Sequence, residues 1–123
     1  MNTALLERKG TFENPIKLKS VAKDTVYLIR CDVTFKLGYR SKREVLSAVI
    51  TGIKASYRAP VWWLQGETYR NGVKHTLEIC QKANPIKRNK LVMDKVEYVY
   101  FRSETGSVIY DRPEVELLDV RYT

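Results

Sequence analysis

The sequence predicts an α+β fold: a mainly antiparallel, twisted sheet of about five to six strands with one principal helix packed on one face. Three stretches predict it. Residues 25–37, TVYLIRCDVTFKL, alternate apolar and polar with a period of two. Residues 38–60, GYRSKREVLSAVITGIKASYRAP, carry apolar residues at helical spacing. Residues 61–82, VWWLQGETYRNGVKHTLEICQK, hold two alternating runs around an Asn-Gly pair. A strand with one apolar face and a helix with one apolar stripe can cover each other, which is the economical way to close a small domain.

Taken in order, NTALLER at residues 2–8 reads as one or two helical turns broken by KGTFENP, and IKLKSV at 16–21 as an additional N-terminal strand. In the first clear strand, Tyr27, Ile29, Cys31, Val33, Phe35 and Leu37 share one face, while Arg30, Asp32, Thr34 and Lys36 share the other. The helix is expected to start at Ser41, with Glu44 three residues on completing a capping box. Leu46, Val49, Ile50, Ile53 and Tyr57 form its stripe, Gly52 weakens its middle by about 1 kcal/mol relative to Ala, and Pro60 ends it. Asn71-Gly72 suits a two-residue turn that pairs Arg70 with Val73 and Leu64 with Ile79. Trp62, Leu64, Leu77 and Ile79 then line one face, and Trp63, Gln65, Glu67, Tyr69 and Cys80 the other. ANPIKRNK reads as a loop, SETGS as the turn of a second hairpin with Gly106 in the left-handed position, and EVELLDVRY as a last strand with a bulge near Leu117-Leu118.

The 123 residues suit a single domain, 1–123, and 44% apolar residues are enough to form a core, which excludes a disordered chain. The net charge of +8 is uneven. Residues 1–60 hold 12 Lys/Arg against 5 Asp/Glu, residues 61–90 hold 6 against 2, and residues 91–123 hold 4 against 7. The basic excess therefore precedes a mildly acidic C-terminal segment, and it favours a polyanionic or acidic partner. The plain alternative is a solvated basic surface. Cys31 and Cys80 form no CxxC or Cys/His cluster, so neither a zinc site nor a disulfide framework is expected. No signal-peptide core or bilayer-spanning run is visible, which points to a cytoplasmic protein with no membrane partner.

Catalytic chemistry is sparse. The one histidine, His75, falls on the core face of its strand, and Cys80, five residues on, points the other way, so the two cannot form a dyad. Cys31 sits in an apolar row and reads as a small core residue. The carboxylates of YDRPEVE, including Asp111 and Glu114, are the basis for a third-ranked alternative, a carboxylate-dependent hydrolase. They match no metal-ligand spacing, and neither a phosphate-binding loop nor a nucleophile elbow occurs. No cofactor is implied.

Binding has more support. PIKRNK places Lys87, Arg88 and Lys90 on one short segment; Arg40, Lys42 and Arg43 cluster at the expected helix start, and Arg58 lies near its end. These are the candidate phosphate contacts. Trp63, Tyr69, Tyr98 and Tyr100 are the candidate stacking residues, against the alternative that they are core or interface plugs. VEYVYFR lacks the glycine-aromatic signature of RNA-recognition sheets. The expectation is a non-enzymatic binder of a phosphate-bearing ligand, nucleic acid foremost. An oligomeric regulator of the phage or mobile-element accessory kind, capturing a small nucleotide-like molecule or a protein partner, is the second reading. The leading expectation requires the two cationic clusters to converge in space.

Overall fold

The computed structural model describes residues 2–6, 10–11, 21 and 25–122. Among these there is no helix. The strands are β1 (Asn2–Leu6), β2 (Gly10–Thr11), β3 (Thr25–Tyr39), β4 (Lys42–Ala55), β5 (Trp62–Arg70), β6 (Val73–Gln81), β7 (Ile86–Lys87), β8 (Lys90–Leu91), β9 (Val96–Ser103), β10 (Gly106–Asp111) and β11 (Glu114–Tyr122). One large sheet runs β10-β9-β6-β5-β4-β3-β11-β2, with β1 beside β3 as its parallel member and β7-β8 a separate small hairpin. The fold is all-β, which corrects the expected α+β class. The expected helical turns at residues 2–8 begin in β1 instead, and the expected strand at 16–21 lies outside the described residues apart from the buried Val21.

The expected principal helix is the 14-residue strand β4, paired along its length with β3. Two properties decide this. Val45, Val49, Ile50, Thr51 and Ile53 are β-branched, and their stiff side chains fit a pleated surface better than a helix. The register with β5 also slips between Ile50 and Gly52, the mark of a bulge. Ala48 and Ile50 are buried before the slip, and Ile53 and Ala55 after it. That phase jump turns a period of two into an apolar spacing that imitates a helix. Gly66 lies opposite the slip, and a Cβ there would run into the Val49 carbonyl oxygen, so β5 passes β4 too closely for any side chain.

The other sequence-derived elements match the strands. The β5-β6 register pairs Arg70 with Val73 and Leu64 with Ile79 around Asn71 and Gly72, both at positive φ. The β11-β3 register slips between Leu117 and Asp119, where the bulge is expected.

Strands β10 and β11 run in one direction and are separated only by Arg112 and Pro113. The first half pairs with β9 and the second with β3. They act as one bent strand that joins the two flanks of the sheet and curls it towards a barrel. Contacts across the join show the curl. The Tyr39 hydroxyl donates to the Asp111 carbonyl at 3.0 Å, and the Tyr39 and Tyr110 rings stack at 6.1 Å, although four strands separate β3 from β10 along the sheet.

The inner face holds the core: Ile29, Cys31, Val33, Phe35, Leu37, Ile50, Ile53, Leu64, Ile79, Val99, Phe101 and Val120 are all buried. The turns at 40–41, 71–72 and 104–105 lie at one end, here the upper end. The loop 56–61 and the excursion 82–95 lie at the lower end. Ile86 and Leu91 of the small hairpin are fully buried and plug that lower end. The hairpin is held by the Leu91 amide donating to the Tyr122 hydroxyl at 2.9 Å, and by Gln81 Nε2 donating to the carbonyls of Ala83 and Val92.

Candidate nucleic-acid interface

PIKRNK is a tight hairpin rather than an open loop. Ile86 pairs with Leu91 and Lys87 with Lys90, leaving Arg88 and Asn89 as a two-residue turn at φ 53° and 65°. Both turn residues are left-handed, the geometry of a type I′ turn. With Ile86 and Leu91 driven into the core, Lys87, Arg88, Asn89 and Lys90 are all held outward. The result is a rigid finger with three cations.

Strand connectivity gives each predicted cation its place on the sheet. Arg58 lies in the loop after β4, at the lower end with the finger. Arg40, Lys42 and Arg43 lie at or beside the β3-β4 turn, at the upper end. β4 has 14 residues, so at about 3.3 Å each its two ends are up to about 40 Å apart along the strand. Arg58 and Arg43 thus sit towards opposite ends of β4, while Tyr39 beside the β3-β4 turn bonds Asp111, the cross-strand partner of Tyr98.

One member of the upper cluster is paired with a carboxylate, and so is a neighbouring arginine. Arg43 pairs with Glu116 at 3.4 Å and Arg70 with Glu44 at 3.1 Å. The acidic C-terminal segment supplies Glu114 and Glu116 opposite Gly38 and Lys36, so it offsets the positive charge of the upper β3-β4 hairpin. Glu44, expected as a helix cap, instead accepts from Arg70 and from the Tyr110 hydroxyl.

Among the described residues, the stretches around the finger and the loop 56–61 are rich in cations. In stretches 54–63 and 78–98, Lys54, Arg58, Lys82, Lys87, Arg88, Lys90 and Lys95 stand against Glu78, Asp94 and Glu97. Of these, Lys82 bridges Glu97 at 3.1 Å.

An aromatic row crosses the outer face beside this end. Lys54, Trp63, Cys80 and Tyr98 are successive cross-strand partners on β4, β5, β6 and β9. The Lys54 ammonium lies 6.0 Å from the Trp63 ring centre. Trp63 Nε1 donates to the Tyr98 hydroxyl at 3.1 Å, and that hydroxyl donates to Glu78 Oε2 at 2.8 Å. Burial, then the bond to Glu78, push the Tyr98 phenol up to about 12, so it stays a neutral donor. Tyr100 follows on the same face, opposite Glu78 and Ile109. Trp63, Tyr98 and Tyr100 are each half-buried.

Tyr69 stands apart. It is exposed and points into a groove of about 640 Å³ on the outer face, whose charged lining is Asp32, Glu67, Asp119 and Arg121. That acid-rich setting does not suit a polyanion. The structure thus joins Trp63 to Tyr98 by a hydrogen bond, gathers Lys87, Arg88 and Lys90 on one hairpin, and sets Arg40, Lys42 and Arg43 at the β3-β4 turn and Tyr69 at the acid-lined groove. Sequence reasoning missed Lys54, Lys82 and Lys95 as members of the lower end. The strand at 42–55 would have shown Lys54 beside Trp63; the other two depend on how 82–95 folds back.

His75 rests edge-on against Phe101 at 6.4 Å, and its Nδ1 lies 2.9 Å from the Val73 carbonyl oxygen. It is a packed histidine on the core face. Cys31 is wholly buried. Among the described residues, no three His, Cys, Asp or Glu side chains gather as metal ligands. No family model, curated protein or solved structure matches this chain.

Proposed function

We propose that the protein is a non-enzymatic nucleic-acid binder that engages its ligand with the lower end of the curled sheet. One observation carries the reading: among the described residues of stretches 54–63 and 78–98, which hold Trp63 and Tyr98, seven Lys and Arg stand against three carboxylates. Lys87, Arg88 and Lys90 on the finger and Arg58 on the neighbouring loop contact phosphates. Trp63, Tyr98 and Tyr100 give single-stranded bases a surface to stack on, with Lys54 beside the indole. The finger needs no large rearrangement to bind, because its apolar residues already lie in the core.

The test is fluorescence anisotropy with a labelled single-stranded oligonucleotide across a salt series. The logarithm of affinity should fall linearly with the logarithm of salt, by about 0.7 per phosphate contacted. Replacing Lys87, Arg88 and Lys90 together with Ala should weaken binding at least tenfold at low salt. The matching triple replacement of Arg40, Lys42 and Arg43 should change it less than threefold. Equal losses from both triples would reduce the reading to diffuse basic attraction, and a flat salt response would end it.

A further inference from the structure

We infer that the protein forms a two-fold homodimer by antiparallel pairing of β10 with β10 of a second copy. The argument starts from the β9-β10 ladder. Gly106 pairs with Ser103, Val108 with Phe101, Tyr110 with Val99, and Asp111 with Tyr98. Just beyond the strand, the Arg112 amide donates to the Glu97 carbonyl at 2.7 Å. In an antiparallel pair, hydrogen-bonded and non-bonded positions alternate. Counting back from Arg112, the residues bonded to β9 are Tyr110, Val108 and Gly106. Ser107, Ile109 and Asp111 therefore turn their amides and carbonyls away from β9. The Tyr39 hydroxyl bonded to the Asp111 carbonyl fits this assignment.

Among the described residues no other strand pairs with β10. Tyr39 covers the edge at Asp111, which leaves Ser107 and Ile109 as a short, open run of donors and acceptors. Sheet edges of this kind are usually blunted by charge, proline or a bulge. Residues 106–110, GSVIY, contain no charge and no proline, and their register with β9 is unbroken. Val108 and Ile109 are 46% and 59% exposed, one on each side of the strand.

The strand is complementary to itself. A two-fold axis at Val108 sets Ser107 against Ile109 of the second copy, and Ile109 against its Ser107. Each outward amide then meets a carbonyl, Val108 meets its twin, and no like charges are opposed. Symmetry supplies this match without any further design, as in other isologous contacts. The contact is short compared with the roughly 1,200–2,000 Å² buried in stable complexes, so association should depend on concentration.

Sedimentation equilibrium from micromolar to millimolar protein tests the inference. The wild type is expected to pass from monomer to dimer, with slowed exchange of the Ser107 and Ile109 amides in the dimer. Ile109→Pro removes an outward amide while sparing the β9 ladder, a position where an edge strand tolerates proline. It should stay monomeric with an unchanged circular-dichroism spectrum. Ile109→Lys should do the same, and it serves if the proline variant does not fold. A wild type monomeric throughout, or a dimer that persists in a folded variant, overturns the proposal. Because nucleic-acid affinity is read in a separate assay, failure here leaves the function of the lower end untouched.

Discussion

Cys31 lies on β3 with Ile50 and Tyr122 as its cross-strand partners, and burial, aided by nearby Asp32, raises its thiol from an ordinary value of 9.0 to about 12. The folded thiol thus keeps its proton where an unfolded one loses it. Between about pH 9 and 12 the unfolded state binds fewer protons, so stability falls as pH rises through that range and is level below it. Urea midpoints should be flat from pH 7 to 8.5 and then decline, and the decline should be shallower in Cys31→Ala once its lower baseline is subtracted. The same burial should keep the thiol unreactive to alkylating reagents in the native protein at pH 8. This residue was legible beforehand: its place in the row Tyr27, Ile29, Cys31, Val33, Phe35 already made it a core residue. His75 was legible for the same reason, since strand parity alone put it on the core face.

The two tight hairpins, at 71–72 and 88–89, make an instructive pair of elements. Asn71-Gly72 has the residues that positive φ favours, whereas Arg88-Asn89 takes the same kind of turn with a long cationic side chain in first place. Changing Arg88→Asn together with Asn89→Gly should raise unfolding free energy by about 0.5–1 kcal/mol. It should also weaken oligonucleotide binding several-fold, and thermal melts with anisotropy would show the exchange of function for stability. The contrast explains what could be read in advance. Asn71-Gly72 announced its hairpin and fixed its register, and the doubled Leu117-Leu118 announced a bulge. PIKRNK hid its hairpin because Arg-Asn is a poor signal for that turn. β4 was misread because the slip at Ile50–Gly52 shifts the apolar phase by one residue, and no local feature marks such a slip as a bulge rather than the spacing of a helix.

At the level of the whole molecule, Arg70 forms one of the knots that close the curl. The Arg70 guanidinium lies 4.4 Å from the Phe101 ring centre, and its Nη2 donates at 3.1 Å both to Glu44 and to the Tyr110 hydroxyl. It ties β5 to β4 on one side and to β10 on the other. Arg70→Ala should cost about 2 kcal/mol, visible in urea denaturation, and speed amide exchange along β10. Lysine should recover only part of the loss, because it cannot stack and bond in the same plane. Neither this knot nor the distribution of charge between the two ends was legible in the sequence. Both depend on how many times the chain crosses the molecule, and reading β4 as a helix removes one crossing. The bent strand at Arg112–Pro113 has a last consequence, for biosynthesis. A ribosome delivers β3 roughly eighty residues before the partner that must lie against it, so the early strands wait with one flank unzipped until residues 114–122 emerge. Such distant pairing makes for slow maturation and a nascent chain that is vulnerable to clumping.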